Sequence, residues 1–114
     1  MTNNYYCYLL TGNNRTYIGI TNNLNMRLQK HNKIRKGGAK STRSMKGKAR
    51  YHTIVGYFKD KSEAMKFEYQ WKHINKRKTK PGLPNKMKRL LELLLDDKWY
   101  KINIKNLVLE GMRL

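Results

Sequence analysis

The sequence predicts one α/β (α+β) domain, and three observations carry that prediction. The stretch YYCYLLTGNNRTYIGIT, residues 5 to 21, sets two apolar, tyrosine-bearing runs on either side of Thr11-Gly12-Asn13-Asn14-Arg15. A third run of the same branched and aromatic character, YHTIVGYF, occupies residues 51 to 58. Between and after these runs, apolar residues recur at three- and four-residue spacing in three places, as they do along helices. A chain of 114 residues suits a single domain with one modest core.

The elements follow in order. The first two runs form a hairpin, with Gly and Asn supplying the turn conformations. Asn22 or Asn23 is placed to cap a first helix carrying Leu24, Leu28 and His31 or Ile34 along one stripe. Arg27 and His31 are four apart and share a face. KIRKGGAKSTRSMKGKAR, residues 33 to 50, has almost no large apolar side chain and reads as a loop. The third strand ends at KDKS, where Asp60 with Glu63 offers a variant capping box. Ala64, Phe67, Trp71 and Ile74 then trace the apolar stripe of a second helix, with Glu68 at its edge and Lys72 one turn on. Asn85 opens a third helix whose Met87, Leu90, Leu91, Leu94 and Leu95 are expected in the core. Residues from 98 onward form a packing tail of helix or strand character. The motif core spans about 5 to 75, the last helix and tail about 85 to 110, and no stretch is long enough to be a domain linker.

Charge narrows the function. Twenty-six Lys and Arg against seven Asp and Glu give a formal net charge of +19, which favours a polyanion because each phosphate neutralised releases counterions. Nucleic acid is the first candidate partner. No apolar run approaches the roughly 18 residues of a membrane span, and no signal peptide is expected. The single cysteine, Cys7, excludes a disulfide framework and a Cys-rich zinc site, and it suits a reducing, intracellular compartment. In the cationic loop, Arg35, Lys36, Lys40, Arg43, Lys46, Lys48 and Arg50, with Ser41 and Thr42, are candidate DNA contacts. Gly37 and Gly38 would let backbone N–H groups approach a phosphate.

YCYLL, TYIGIT, RLQKHN, GGAKST and FEYQW, in this order and spacing, resemble the GIY-YIG endonuclease superfamily, and within it the nuclease domain of the Slx-type enzymes that cut branched DNA. Tyr6 and Cys7 stand where the first motif has Gly and Ile, and Lys48 and Ala49 where Slx-type domains usually show Pro-Trp. One cysteine cannot build the C-terminal RING-like zinc domain those enzymes usually carry. The resemblance implies a small three-stranded antiparallel sheet flanked by helices. It also implies a metal-dependent endonuclease acting on flaps, forks or four-way junctions in DNA repair, recombination or replication. By position Tyr8 matches the last letter of GIY, Tyr17, Ile18 and Gly19 match YIG, and Arg27 and Glu68 match the catalytic arginine and the metal-binding glutamate.

The implied chemistry gives each residue a task. Glu68 would hold one Mg²⁺ (or Mn²⁺), since such hard ions bind through few carboxylates and keep waters. Arg27 would oppose charge developing at phosphorus. Tyr8, with Tyr17 as its hydrogen-bonding partner, would orient or deprotonate the attacking water once neighbouring cations lower its pKa, and His31 competes as base. The alternative function is a basic nucleic-acid-binding protein that keeps the fold without cleaving.

Overall fold

A computed structural model of the chain describes residues 4–32, 49–74, 82–95 and 99, together with the backbone of 104–106. The expected hairpin is formed by β1 (Tyr5–Gly12) and β2 (Arg15–Thr21), followed by α1 (Leu24–Asn32), β3 (Arg50–Phe58), α2 (Lys61–His73), α3 (Leu83–Leu94) and β4 (Ile104–Asn106). Asn13 and Asn14 both take positive φ, 50° and 61°, so the hairpin closes in two residues with the backbone twist that suits antiparallel strands. β1 is central: the order is β2-β1-β3-β4, and each neighbouring pair runs antiparallel. The expected three-stranded sheet therefore gains a short fourth strand from the tail. β2 remains an edge strand, which positions the site described below.

Alternation along the strands gives the sheet two unlike faces. Cys7, Leu9, Ile18, Val55 and Phe58 pack against Ala64, Phe67 and Trp71 of α2, Leu90 and Leu93 of α3, and Trp99. Each large side chain buried there contributes roughly 1.5–3 kcal/mol. Trp71 Nε1 donates to the Lys86 carbonyl at 2.9 Å and Trp99 Nε1 to Gln70 Oε1 at 2.7 Å, so the indoles are bonded as well as packed. Tyr8, Leu10, Ala49 and Tyr51 form a smaller cluster on the opposite face, with Tyr17, Leu24, Leu28 and Ile54 around it. Tyr51 and Ile54, three residues apart, share this face because the β1–β3 register shifts between Leu9↔Thr53 and Leu10↔Tyr51, leaving His52 as the extra residue of a bulge.

Caps fall where the sequence places them. Asn23 Oδ1 accepts from the Met26 N–H at 3.0 Å to start α1, and Asp60 Oδ1 accepts from the Glu63 N–H at 2.9 Å to start α2. The third helix departs from expectation in two ways. It begins at Leu83 rather than Asn85, because Gly82 takes the capping position at φ 126° and Pro84 is tolerated in a first turn that needs no N–H. Leu91 and Leu95 are not core: they are 64% and 84% exposed. Two adjacent leucine pairs, 90/91 and 94/95, admit two stripes, and packing selects the row that continues from Leu83 and Met87 through Leu90.

Helix α1 is pinned to the sheet at both ends. The Tyr51 hydroxyl donates to the Leu24 carbonyl at 2.7 Å. At the other end the Asn32 amide donates to the Ala49 carbonyl at 2.9 Å and accepts from the Ala49 N–H at 2.7 Å. Among the described residues, no helix is long and apolar enough to cross a membrane.

Candidate active site

On the α1 face of the sheet, the hairpin and the helix bring Tyr8, Tyr17, Arg27 and His31 together. Tyr8 is fully buried and its hydroxyl lies 2.9 Å from His31 Nε2, while Arg27 Nε donates to the same oxygen at 3.3 Å. Nε of arginine only donates, so the phenol oxygen accepts from Arg27, and the direction of its bond to His31 follows the imidazole tautomer. The Tyr17 ring completes the group, with centroids 5.2 Å from His31 and 6.2 Å from Tyr8. Gly19, paired with Tyr8 across the hairpin, makes room for it. A Cβ there would lie 2.6 Å from Tyr8 Oη and 2.8 Å from Tyr17 Cε1. The requirement for glycine is thus steric, set by the two tyrosines.

Burial dominates the electrostatics. It pushes the Tyr8 phenol up to about 12, against the pull of Arg27. Arg27 lowers this pKa as expected, but removing a phenolate from water costs more than one guanidinium returns. Burial, followed by the Arg27 charge, holds His31 down to about 4. At neutral pH the imidazole is uncharged, with one ring nitrogen a donor and the other an acceptor. For Arg27, burial opposes the charge, but hydrogen bonding and proximity to Tyr8 and Tyr17 outweigh it and its pKa is raised.

A buried neutral histidine has a consequence for stability. His31 binds a proton with its ordinary pKa of 6.5 when unfolded and only near 4 when folded, so the unfolded state takes up more protons in that window. Stability should be full above pH 6.5 and fall as pH drops toward 4, by on the order of 3 kcal/mol from this one group. Urea unfolding of the wild type and His31→Gln between pH 7 and 5 checks this. The wild type should lose stability more steeply; parallel curves would contradict the assignment.

Glu68 approaches from the other face of the sheet. Helix α2 lies along β2 with Lys61 beside Ile20 and Thr21 in one cleft and Lys72 beside Tyr17 in another, which sets Glu68 between them along the helix. Its Oε2 lies 3.5 Å from Lys72 Nζ, with 23% of its side chain exposed. The same ammonium lies 6.0 Å from the Tyr17 ring centroid, linking Glu68 to the aromatic group. Cys7 sits close by and its thiol is pushed well up, by burial and then by the Glu68 charge. Among the described residues, no three His, Cys, Asp or Glu side chains gather to cage a metal ion. A single part-exposed carboxylate fits an ion that retains most of its waters and completes its shell with phosphate oxygens, the habit of Mg²⁺.

A cleft of about 280 Å³ opens beside the group at the Thr21 end of β2, lined in part by Tyr5, Arg27, Lys30 and Lys61. Arg50, exposed at the start of β3, lines a separate cleft beside the hairpin turn with Asn13 and Asn14. The other expected DNA contacts, Arg35, Lys36, Gly37, Gly38, Lys40, Ser41, Thr42, Arg43, Lys46 and Lys48, lie outside the described residues. Two participants escape the sequence reading: the steric role of Gly19, and Lys72 as a bridge to Tyr17. The glycine's place in YIG was the available signal for the first. For Lys72, only its i,i+4 spacing from Glu68 was visible.

Comparison with known proteins places this geometry. Residues 4–81 match the family described as GIY-YIG catalytic domain. The chain is 38% identical over 89 residues to a structure-specific endonuclease subunit slx1 of Aspergillus terreus, covering 75% of this chain and 23% of that protein. It is 45% identical over 75 residues to the structure-specific endonuclease subunit SLX1 of Phaeosphaeria nodorum, covering 62% and 20%. A UPF0213 protein of Bacillus velezensis is 36% identical over 86 residues, covering 75% of this chain and 83% of that one. The chain thus spans about a quarter or less of the length of these slx1 relatives.

Proposed function

The chain belongs to the GIY-YIG family, and from that premise we propose that it is a divalent-metal-dependent, structure-specific endonuclease that hydrolyses phosphodiester bonds in branched DNA, acting in repair, recombination or replication. The observation that carries the proposal is the Arg27–Tyr8–His31 hydrogen-bonded chain beside Tyr17 at the open edge of the sheet. The names of the slx1 relatives and the charge of +19 support the substrate class. The same charge supports the basic segment from Arg35 to Arg50 as the grip on a second DNA arm.

The site divides into two layers. Tyr8 and His31 are the inner one, at 0% and 1% exposure. Tyr17 and Arg27, both half-buried, are the outer one. A phosphate entering the cleft at the Thr21 end would meet the Arg27 guanidinium, which opposes the charge growing on the phosphoryl oxygens. Tyr17 is then the phenol at the front where the attacking water stands. A buried Tyr8 serves better as the acceptor that fixes Arg27 Nε than as a direct ligand of that water. His31 hydrogen-bonds the Tyr8 hydroxyl and holds it in orientation; as phosphate neutralises Arg27, one of the two causes that depress His31 is removed and its basicity rises. A divalent ion held at Glu68 would supply charge neutralisation at the phosphate and the leaving oxygen.

Tyr8→Phe tests whether the buried group is more than packing. The ring and its contacts remain, but Arg27 Nε and His31 Nε2 both lose the Tyr8 hydroxyl as a partner. Single-turnover cleavage of a labelled flap under Mg²⁺ should slow by roughly 10-fold or more, with binding nearly unchanged. An undiminished rate would reduce the group to a core cluster.

A further inference from the structure

A second cationic cleft opens on the other side of Tyr17, at the Thr16 end of β2. It measures about 340 Å³ and is lined by Thr16, Tyr17, Ile18, Lys72, His73, Lys86 and Arg89. Three cations from two helices line it, and of these Lys72 also pairs with Glu68 at 3.5 Å. Like charges brought this close favour an anion among them. Two further observations fit a built anion site. Arg89, only 5% exposed, donates from Nη1 to the Lys72 carbonyl at 3.2 Å, which sets its guanidinium in place. Lys86, half-buried, directs Nζ onto the neutral Thr16 hydroxyl, and its pKa is lowered by burial and then by the charges of Arg89 and Lys72. A phosphate at this point would meet Lys86, Arg89 and the Thr16 hydroxyl, with Lys72 shared between it and Glu68, in a volume with room for the group and several waters.

We propose that this cleft, built by Thr16, Lys72, Lys86 and Arg89, is a second phosphate subsite that holds a backbone phosphate of the same DNA strand whose scissile phosphate lies at Arg27. The assignment of that phosphate to DNA rests on the nuclease reading above. The outer edge of β2 then becomes a track for one strand: Lys61, Lys30 and Arg27 flank it at the Thr21 end, and Lys72, Lys86 and Arg89 at the Thr16 end, with Tyr17 between. Among the described residues no strand pairs with the other edge of β2.

Lys86→Met and Lys86→Arg in the full chain provide the test, each confirmed as folded by an unchanged melting temperature. Binding of a labelled flap in EDTA, over a salt series, should show the Met variant losing about 0.9 of the slope of log K against log salt, the loss of one phosphate contact, and the Arg variant recovering it. An unchanged slope in Lys86→Met would overturn the subsite. A DNA-free measurement on the wild type separates this result from the nuclease reading: lysine side-chain NMR during titration with inorganic pyrophosphate. The Lys86 signal should move and its pKa rise; an indifferent Lys86 at millimolar pyrophosphate would overturn the subsite too. Absence of DNA cleavage by the wild type would sink the endonuclease assignment alone, with the pyrophosphate titration still deciding the cleft.

Discussion

Glu68→Gln is expected to abolish cleavage while branched-DNA binding persists or tightens. The substitution is nearly isosteric, so α2 keeps its packing, but it removes the Glu68 carboxylate, which lies along α2 between Lys61 and Lys72 of the two cationic clefts. Its present partner is Lys72 at 3.5 Å, on a pair open enough to water that the ion pair itself is worth little to stability. A structural role would therefore leave activity almost intact when the charge is lost. A role in holding Mg²⁺ predicts a different pattern: cleavage at background, no rescue by raised metal, and stronger phosphate binding because a negative charge has left a basic surface. Full activity of Glu68→Gln under Mg²⁺ would remove Glu68 from the site.

Arg27 should be nearly as costly to change. Arg27→Ala is expected to lower turnover by about 10² to 10³, with a smaller effect on affinity, as for a group that opposes charge chiefly in the transition state. Arg27→Lys should rescue poorly, because lysine offers a point charge and lacks the Nε donor that binds Tyr8 at 3.3 Å. A second readout checks the electrostatic coupling. The Arg27 charge is the second cause of the low His31 pKa, after burial, so Arg27→Ala should move the His31 titration, followed by NMR, upward from about 4. Loss of binding alone, with single-turnover cleavage intact at saturating protein, would make Arg27 a phosphate anchor only.

Much of this was legible in the residues. The turn Asn13-Asn14, the caps Asn23 and Asp60 and the stripe Ala64-Phe67-Trp71 are local signals, readable because each is decided within one or two turns of chain. The gathering of Tyr8, Tyr17, Arg27 and His31 was legible through motif order. Signals settled by tertiary contact were not. Whether Leu90 or Leu91 faces inward depends on what α3 meets, and the bulge at His52 appears only when β3 is set against β1. The pull of Arg27 on Tyr8 was legible and the burial that outweighs it was not, because charge can be counted in a sequence and desolvation cannot. The cleft of Lys72, Lys86 and Arg89 was hidden among many lysines and arginines: nothing in the chain marks which of them two separate helices will bring beside Thr16.

The most direct test of the account is single-turnover incubation of the purified protein with end-labelled flap, fork, four-way junction and matched linear duplex, each with Mg²⁺ and with EDTA. The account predicts incision near the branch point in at least one branched substrate under Mg²⁺, little on the duplex, and none in EDTA. Saturable binding of the branched DNAs with no incision of any of them, under Mg²⁺ or Mn²⁺, would contradict it and leave a nucleic-acid-binding protein that keeps the fold without the reaction.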